Sequence, residues 1–270
     1  MLTDLVQVGM IPILDKFLDK NPLKAFMERH GLLKQTSTVA NFAQKQMGRR
    51  VGRPASKSSG GPPDLLSRLL TAQSQNPNSM TMNHVLAMTT SLVFAGSDST
   101  ASSLSSVFYC LMRNPTAMQK LRAELDSANL SELPTWAETN VLPYLSACIK
   151  ESMRLYPAAG LILERIVPKG GAEIAGQWIP GGTIVGCNAW VIHRRKEVFG
   201  DDIESFQPER WLEAPEEKKR DMEGALFQFG MGSRTCVGKH ISLLEIYKLV
   251  PALLNKFEVR GPLFTWCLPS

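Results

Sequence analysis

The stretch Phe229-Gly-Met-Gly-Ser-Arg-Thr-Cys-Val-Gly238 places Phe229, Gly232, Arg234, Cys236 and Gly238 within ten residues, directly before an apolar-periodic run that reads as the last helix, from about Val237 to Phe257. A cysteine at a helix N-terminus meets unpaired backbone N–H groups and the positive end of the helix dipole, both of which favour a thiolate. If that thiolate ligates the iron of a flat macrocycle such as haem, each neighbour has a task. Gly232 and Gly238 let the backbone come close and take positive φ where needed, Arg234 can pair with a propionate carboxylate, and Phe229 can shield the sulfur from water.

The competing reading is a buried structural cysteine beside a glycine-rich helix start, the commoner fate of a single cysteine. Chance argues against it, because the composition of the chain gives a random match to the whole pattern on the order of 10⁻⁴. The pattern resembles F-x-x-G-x-R-x-C-x-G, the signature of the cytochrome P450 superfamily. The resemblance implies a mainly α fold with a small β region, comprising the C-terminal part of the cytochrome P450 fold with its long central helix and cysteine-ligand loop. It further implies haem b as cofactor and Cys236 as the metal ligand, the thiolate that favours O–O cleavage.

Three further motifs occur in family order. Glu151 and Arg154 in KESMR share one helix face, glutamate first. Alone, such a pair is a solvated surface contact worth under about 1 kcal/mol. Together with FQPERW, residues 206–211, it resembles the family's E-x-x-R helix and its later arginine motif, which implies a buried structural triad of Glu151, Arg154 and Arg210 that locks the cysteine loop against the core. LERIVPK, from Leu163, matches the family strand in which an arginine, here Arg165, reaches a haem propionate; an exposed strand arginine is the alternative. His193, in AWVIHR, reads as structural, with a satisfied surface histidine among the explanations.

No proline interrupts the chain between Pro77 and Pro115, and apolar residues recur there at roughly helical spacing. This predicts one helix of about thirty residues, against an ordinary length of ~11. Its middle carries Ala95-Gly-Ser-Asp-Ser-Thr100, where polar groups compete for backbone hydrogen bonds and so break the local rules of a stable helix. The segment resembles the family's oxygen-binding groove, A-G-x-[DE]-T-T, which assigns Gly96 to the cofactor face and Asp98, Ser99 and Thr100 to proton delivery. Ser99 stands where the family has threonine. A polar turn facing solvent is the alternative.

Around these motifs, TVANFAQKQMGRR, DLLSRLLTAQSQ, PTAMQKLRAELDSA and the run from Pro143 to Tyr156 read as helices, and VGRPASKSSGGPPD as a loop. AEIAGQWIPGGTIVGCNAWVI alternates around Pro180, Gly181 and Gly182 and predicts a hairpin there. Residues 194–235 hold little periodicity. The 270 residues are 44% apolar and 20% charged, which excludes disordered, collagen and coiled-coil classes, and a net charge of +5 is too dilute for nucleic-acid binding by charge alone. Five dispersed cysteines without a C-x-x-C pair suggest neither a disulfide framework nor a zinc site, and fit a reducing compartment. No apolar run reaches the ~20 residues needed to span a bilayer.

The expected organisation is one partial cytochrome P450 domain over residues 1–260, with the family's N-terminal half absent, and a divergent tail over 261–270. The expected function is monooxygenation of a small organic substrate in secondary or xenobiotic metabolism, with electrons from NADPH through a cytochrome P450 reductase. Fungal microsomal members are the most similar in texture. For the whole protein this implies the cytosolic face of the endoplasmic reticulum membrane, through an N-terminal anchor that this chain lacks. Arg194, Arg195, Arg234 and Lys239 are candidate contacts for an acidic electron donor, a solvated charged surface being the default. Without a roof over the cofactor, apolar residues such as Leu92, Val93, Leu161 and Ile162 are expected to face water and the chain alone to be incompetent in turnover. The reading from a different class is a non-catalytic remnant or a helical binding module.

Overall fold

Residues 38–51 and 64–259 are described in a computed structural model of the chain. The expectations for residues 52–63 of the Ser/Gly/Pro-rich loop and for the tail fall outside them. The helices are α1 (Thr38–Val51), α2 (Leu65–Gln75), α3 (Met82–Arg113), α4 (Pro115–Ser127), α5 (Trp136–Thr139), α6 (Pro143–Leu155), α7 (Ala189–Ile192), α8 (Lys196–Phe199), α9 (Arg210–Glu213), α10 (Glu216–Ala225) and α11 (Lys239–Lys256); the strands are β1 (Ile162–Ile166), β2 (Ala172–Ile174), β3 (Gln177–Ile179) and β4 (Ile184–Asn188). The chain divides into two compact units, 1–97 and 98–270, whose boundary falls inside α3.

In the first unit, Asp64 caps α2 by accepting the Ser67 N–H at 2.7 Å, as its place at the start of DLLSRLL suggested. The Arg50 guanidinium donates to the same carboxylate at 2.9 Å and to the Ser67 hydroxyl at 2.8 Å. These bonds, led by that from the Ser67 backbone, hold the Asp64 pKa below the usual carboxylate range.

The second unit is built on α6, which is buried along nearly its whole length. Pro143 opens it at the first helical position, where a missing N–H is harmless, and the Glu124 carboxylate accepts the next two amides, Tyr144 N–H at 2.7 Å and Leu145 N–H at 2.8 Å. Leu145, Cys148, Ile149 and Met153 of α6 pack with Val107 and Leu111 of α3, Leu121 and Leu125 of α4, and Ile246, Val250 and Leu254 of α11. Arg122 ties α4 to the end of α11 by donating to the carbonyls of Leu254 at 2.7 Å and Phe257 at 3.1 Å. A smaller cluster joins Ala147 to Phe199, Trp211 and Met222 on α8, α9 and α10.

The β region departs from the expected hairpin. β2 and β3 pair antiparallel with Ile174 opposite Gln177, so the tight turn is Ala175–Gly176, both at positive φ (52° and 76°). Pro180-Gly181-Gly182 instead leads into β4, which pairs with β1 from Ile162↔Asn188 to Ile166↔Ile184. Alternation alone cannot choose between the two turns. The second is pinned tertiarily, since Gly182 N–H donates to the Val167 carbonyl at 2.9 Å and a Cβ on Gly181 would lie 2.5 Å from the Lys169 carbonyl oxygen.

Leu145→Ala should lower unfolding free energy by about 2–5 kcal/mol, because it empties a fully buried position, whereas Leu133→Ala, at a residue 71% exposed, should stay within about 0.5 kcal/mol. Urea unfolding followed by far-ultraviolet circular dichroism checks both.

Candidate active site

Glu151 is completely buried, and an isolated carboxylate there would be strongly disfavoured. Five donors meet it: on Oε1 Arg154 Nη2 at 2.8 Å, Arg210 Nε at 3.0 Å and Gln207 N–H at 3.1 Å, and on Oε2 Arg154 Nε and Trp211 Nε1, each at 2.9 Å. Arg154 is equally buried. Beyond its fork on Glu151 it donates to the carbonyls of His193 at 3.0 Å, Ile203 at 2.7 Å and Ser205 at 3.2 Å, so all five of its N–H groups have acceptors. Arg210 completes its set on the Phe199 and Asp202 carbonyls. The three residues that the motifs singled out are thus brought together in one buried cluster. Trp211 was not singled out, although its place next to Arg210 could have signalled a role for its indole N–H.

The cluster reaches the cysteine loop through His193. This residue is fully buried rather than at the surface. Its Nδ1 lies 3.0 Å from the Arg154 carbonyl and its Nε2 accepts the Phe227 N–H at 2.7 Å. Burial pushes its pKa down to about 4.

From Phe227 the chain turns sharply, with Gly230 N–H donating to the Phe227 carbonyl at 2.9 Å and Cys236 N–H to the Phe229 carbonyl at 2.8 Å. Gly230 and Gly232 take φ of 66° and 69°, a region that strains other residues. Gly238 instead has φ of −87° at the N-cap of α11, and a Cβ there would sit in ordinary contact, 3.8 Å from the Cys236 sulfur. Cys236 is exposed, as is Cys187, whereas Cys110 and Cys148 are buried and have raised pKa values, Cys110 at about 11 through desolvation. Phe229 is half-buried and leans on the main core, with the Lys239 ammonium 5.8 Å from its ring centre. Arg234 is exposed in the single 3₁₀ turn Gly232–Arg234.

Strand β1 abuts this loop, because a Cβ on Gly230 would lie 3.6 Å from a Leu163 methyl. Arg165 is two residues along and so on the same strand face. It is exposed, its guanidinium donating to the Glu164 carbonyl at 2.7 Å. Of the other basic residues, Arg194 pairs with Glu204 at 2.9 Å and stacks on Trp190, and Arg195 pairs with Glu197 at 3.5 Å.

In α3 every residue from Met82 to Arg113 is helical, Gly96 included. The hydroxyls bond back along the helix, Ser97 to the Val93 carbonyl at 2.7 Å and Ser103 to the Ser99 carbonyl at 2.9 Å. Thr100 is buried and donates to the Ser242 hydroxyl at 3.2 Å, joining α3 to the first turn of α11. Asp98 lines an open cavity of about 700 Å³ with Ser102, Ser105, Tyr109, Tyr156 and Trp190, whereas Ser99 is exposed. No described residue of that lining belongs to the cysteine loop. Among the described residues no cluster of three or more His, Cys, Asp or Glu forms a metal site.

Comparison with known proteins agrees with the motif order. The family model for Cytochrome P450 matches residues 3–263. The chain is 43% identical over 260 residues to a Cytochrome P450 monooxygenase of Aspergillus terreus, covering 93% of this chain and 52% of that protein. It is 46% identical over 200 residues to Cytochrome P450 monooxygenase cicH of Emericella nidulans, covering 73% and 40%, and 39% identical over 241 residues to Cytochrome P450 monooxygenase ACRTS1 of Alternaria alternata, covering 88% and 62%. The chain spans about half the length of the curated relatives it matches.

Glu151→Gln leaves two guanidinium groups short of their counter-charge and should destabilise the second unit by about 3–5 kcal/mol, measured by urea unfolding. His193 adds a pH dependence. Its folded pKa lies below the ordinary value, so the stability it contributes is fully present above about pH 6.5 and is lost as pH falls through about 4. The acid limb of a stability–pH profile should therefore flatten in His193→Gln.

Proposed function

The chain belongs to the cytochrome P450 family, and we propose that it supplies the haem-thiolate centre of a monooxygenase, with Cys236 as the iron ligand. The observation that carries this reading is the exposed thiol of Cys236 on a glycine-turned loop that is hydrogen-bonded through His193 to a buried ion cluster. The surroundings fit haem. No acidic residue occurs from 224 to 244, so nothing in that stretch opposes an anionic sulfur or propionates. Exposed apolar side chains flank the thiol, Val237 at 90% and Ile241 at 61%, with Met231, Leu161 and Ile162 also exposed, and a large apolar disc would cover such surfaces.

In this reading Cys236 Sγ holds the iron, Arg234 and Arg165 pair with the propionates, and Phe229, Gly232 and Gly238 shape the sulfur's surroundings. When bound, haem supplies the oxygen chemistry by which one atom enters an organic substrate and the other leaves as water. The polypeptide's part is positioning and proton transfer. Asp98, open to the cavity, would take protons from solvent, and the Ser99 and Thr100 hydroxyls would pass them on, Thr100 also donating a hydrogen bond to the Ser242 hydroxyl.

Electrons would come from NADPH through a reductase. Its docking contact falls to Lys239, since Arg194 and Arg195 already face glutamates and Arg234 is committed to a propionate. Small organic compounds of secondary or xenobiotic metabolism are the proposed substrates, and the endoplasmic reticulum membrane the proposed location of the whole protein. No helix among the described residues is long and apolar enough to cross a membrane.

After haem reconstitution the reduced, CO-treated chain should give the thiolate-type band. Cys236→Ala should abolish it and Cys187→Ser should leave it unchanged; survival of the band in Cys236→Ala would refute the assignment. In the turnover-competent, full-length protein, Ser99→Ala should raise peroxide release relative to product, whereas unchanged coupling would assign proton delivery to another hydroxyl.

A further inference from the structure

We propose that His193 is a positioning residue for the cysteine loop, its neutral ring clamping the Phe227 amide and so setting where Cys236 presents its sulfur. The clamp stands on geometry alone, and its consequence for the iron rests on the haem-thiolate reading above.

The tautomer follows from the partners. A carbonyl oxygen only accepts, so Nδ1, 3.0 Å from the Arg154 carbonyl, carries the hydrogen. Phe227 N–H donates at 2.7 Å to Nε2, which must therefore be bare. Both ring nitrogens are committed, and no other protonation state satisfies both bonds. The ring itself is held in place: Arg154 Nη1 donates to the His193 carbonyl at 3.0 Å, Arg194 Nη2 donates to the Leu155 carbonyl at 3.0 Å, and the Phe199 ring stands edge-on at 6.5 Å. The charged groups facing the ring, Arg154 and Arg194, are both cationic and oppose its protonation, adding to burial.

On the loop side the other anchors are softer. Gln228 makes a 3.8 Å contact from its amide nitrogen to the Met153 sulfur and leaves its buried Oε1 without a hydrogen-bond partner. Residues 231–237 are all exposed. The His193–Phe227 bond is thus the short polar tie between the buried cluster and the turn whose Phe229 carbonyl receives the Cys236 N–H at 2.8 Å.

The test separates the two ring bonds. His193→Asn keeps a donor toward the Arg154 carbonyl and loses the acceptor; His193→Gln offers an acceptor near Nε2; His193→Ala has neither. In the haem-free chain, hydrogen exchange of peptides covering 227–236 should rise about tenfold in the Asn and Ala variants and stay near wild type in Gln, because exchange reports local opening. After haem loading, the CO band should shift toward the neutral-thiol form in the same order. A purely structural histidine would lower thermal stability in all three without sorting by the acceptor, so equal behaviour of Asn and Gln, or wild-type behaviour of Ala, overturns the proposal. If the variants do not fold, nitrogen-15 spectra of histidine-labelled wild type decide, the Nδ1–H tautomer supporting the clamp and the Nε2–H tautomer refuting it. Wild-type protein lacking a thiolate band while exchange still sorts by acceptor would refute the haem reading alone.

Discussion

A carboxylate with no exposure to water dictates much of the second unit. A carboxylate buried at Glu151 needs several donors, and they come from two places: its own helix and the 207–211 segment. Arg154 then carries the constraint outward. Its remaining N–H groups fix the carbonyls of residues 193, 203 and 205, so a stretch with few regular elements acquires a defined path. Replacing one member leaves the others as uncompensated buried charge, so the cluster stands or falls as a unit.

The loop that holds Cys236 has the opposite character. It is exposed, rich in glycine and free of acids, a composition that cannot bury enough surface to order itself. Order is imported from the cluster through His193 and Phe227, and from α11 through the Thr100–Ser242 bond at its first turn. A rigid buried anchor supporting an open, electropositive thiol is the arrangement a thiolate ligand needs, since the sulfur must be fixed in position while one side stays available.

Motifs whose chemistry is local were legible in the sequence. The thirty-odd residues without proline between Pro77 and Pro115 became a 32-residue helix, and Asp64, Pro115 and Pro143 stand at helix starts where their backbone chemistry puts them. What was not legible depends on long-range partners. The hairpin turn fell at Ala175–Gly176 because β4 was recruited by β1, a pairing that alternation does not encode. The helix EEKKRDMEGA, Glu216–Ala225, escaped notice because Met222 is its one buried residue and leaves almost no apolar period to read. His193 and Trp211 carry polar atoms whose partners lie 34 to 60 residues away, and sequence shows the atoms but not the partners.

The proposed role of this architecture is to present one sulfur, that of Cys236, to a haem iron. X-ray absorption at the iron edge of the haem-loaded chain tests it most directly. The account predicts a sulfur scatterer in the first coordination shell of wild type and of Cys187→Ser, and its loss in Cys236→Ser. A shell of nitrogen and oxygen alone in wild type, or a sulfur that persists when Cys236 is replaced, would contradict it.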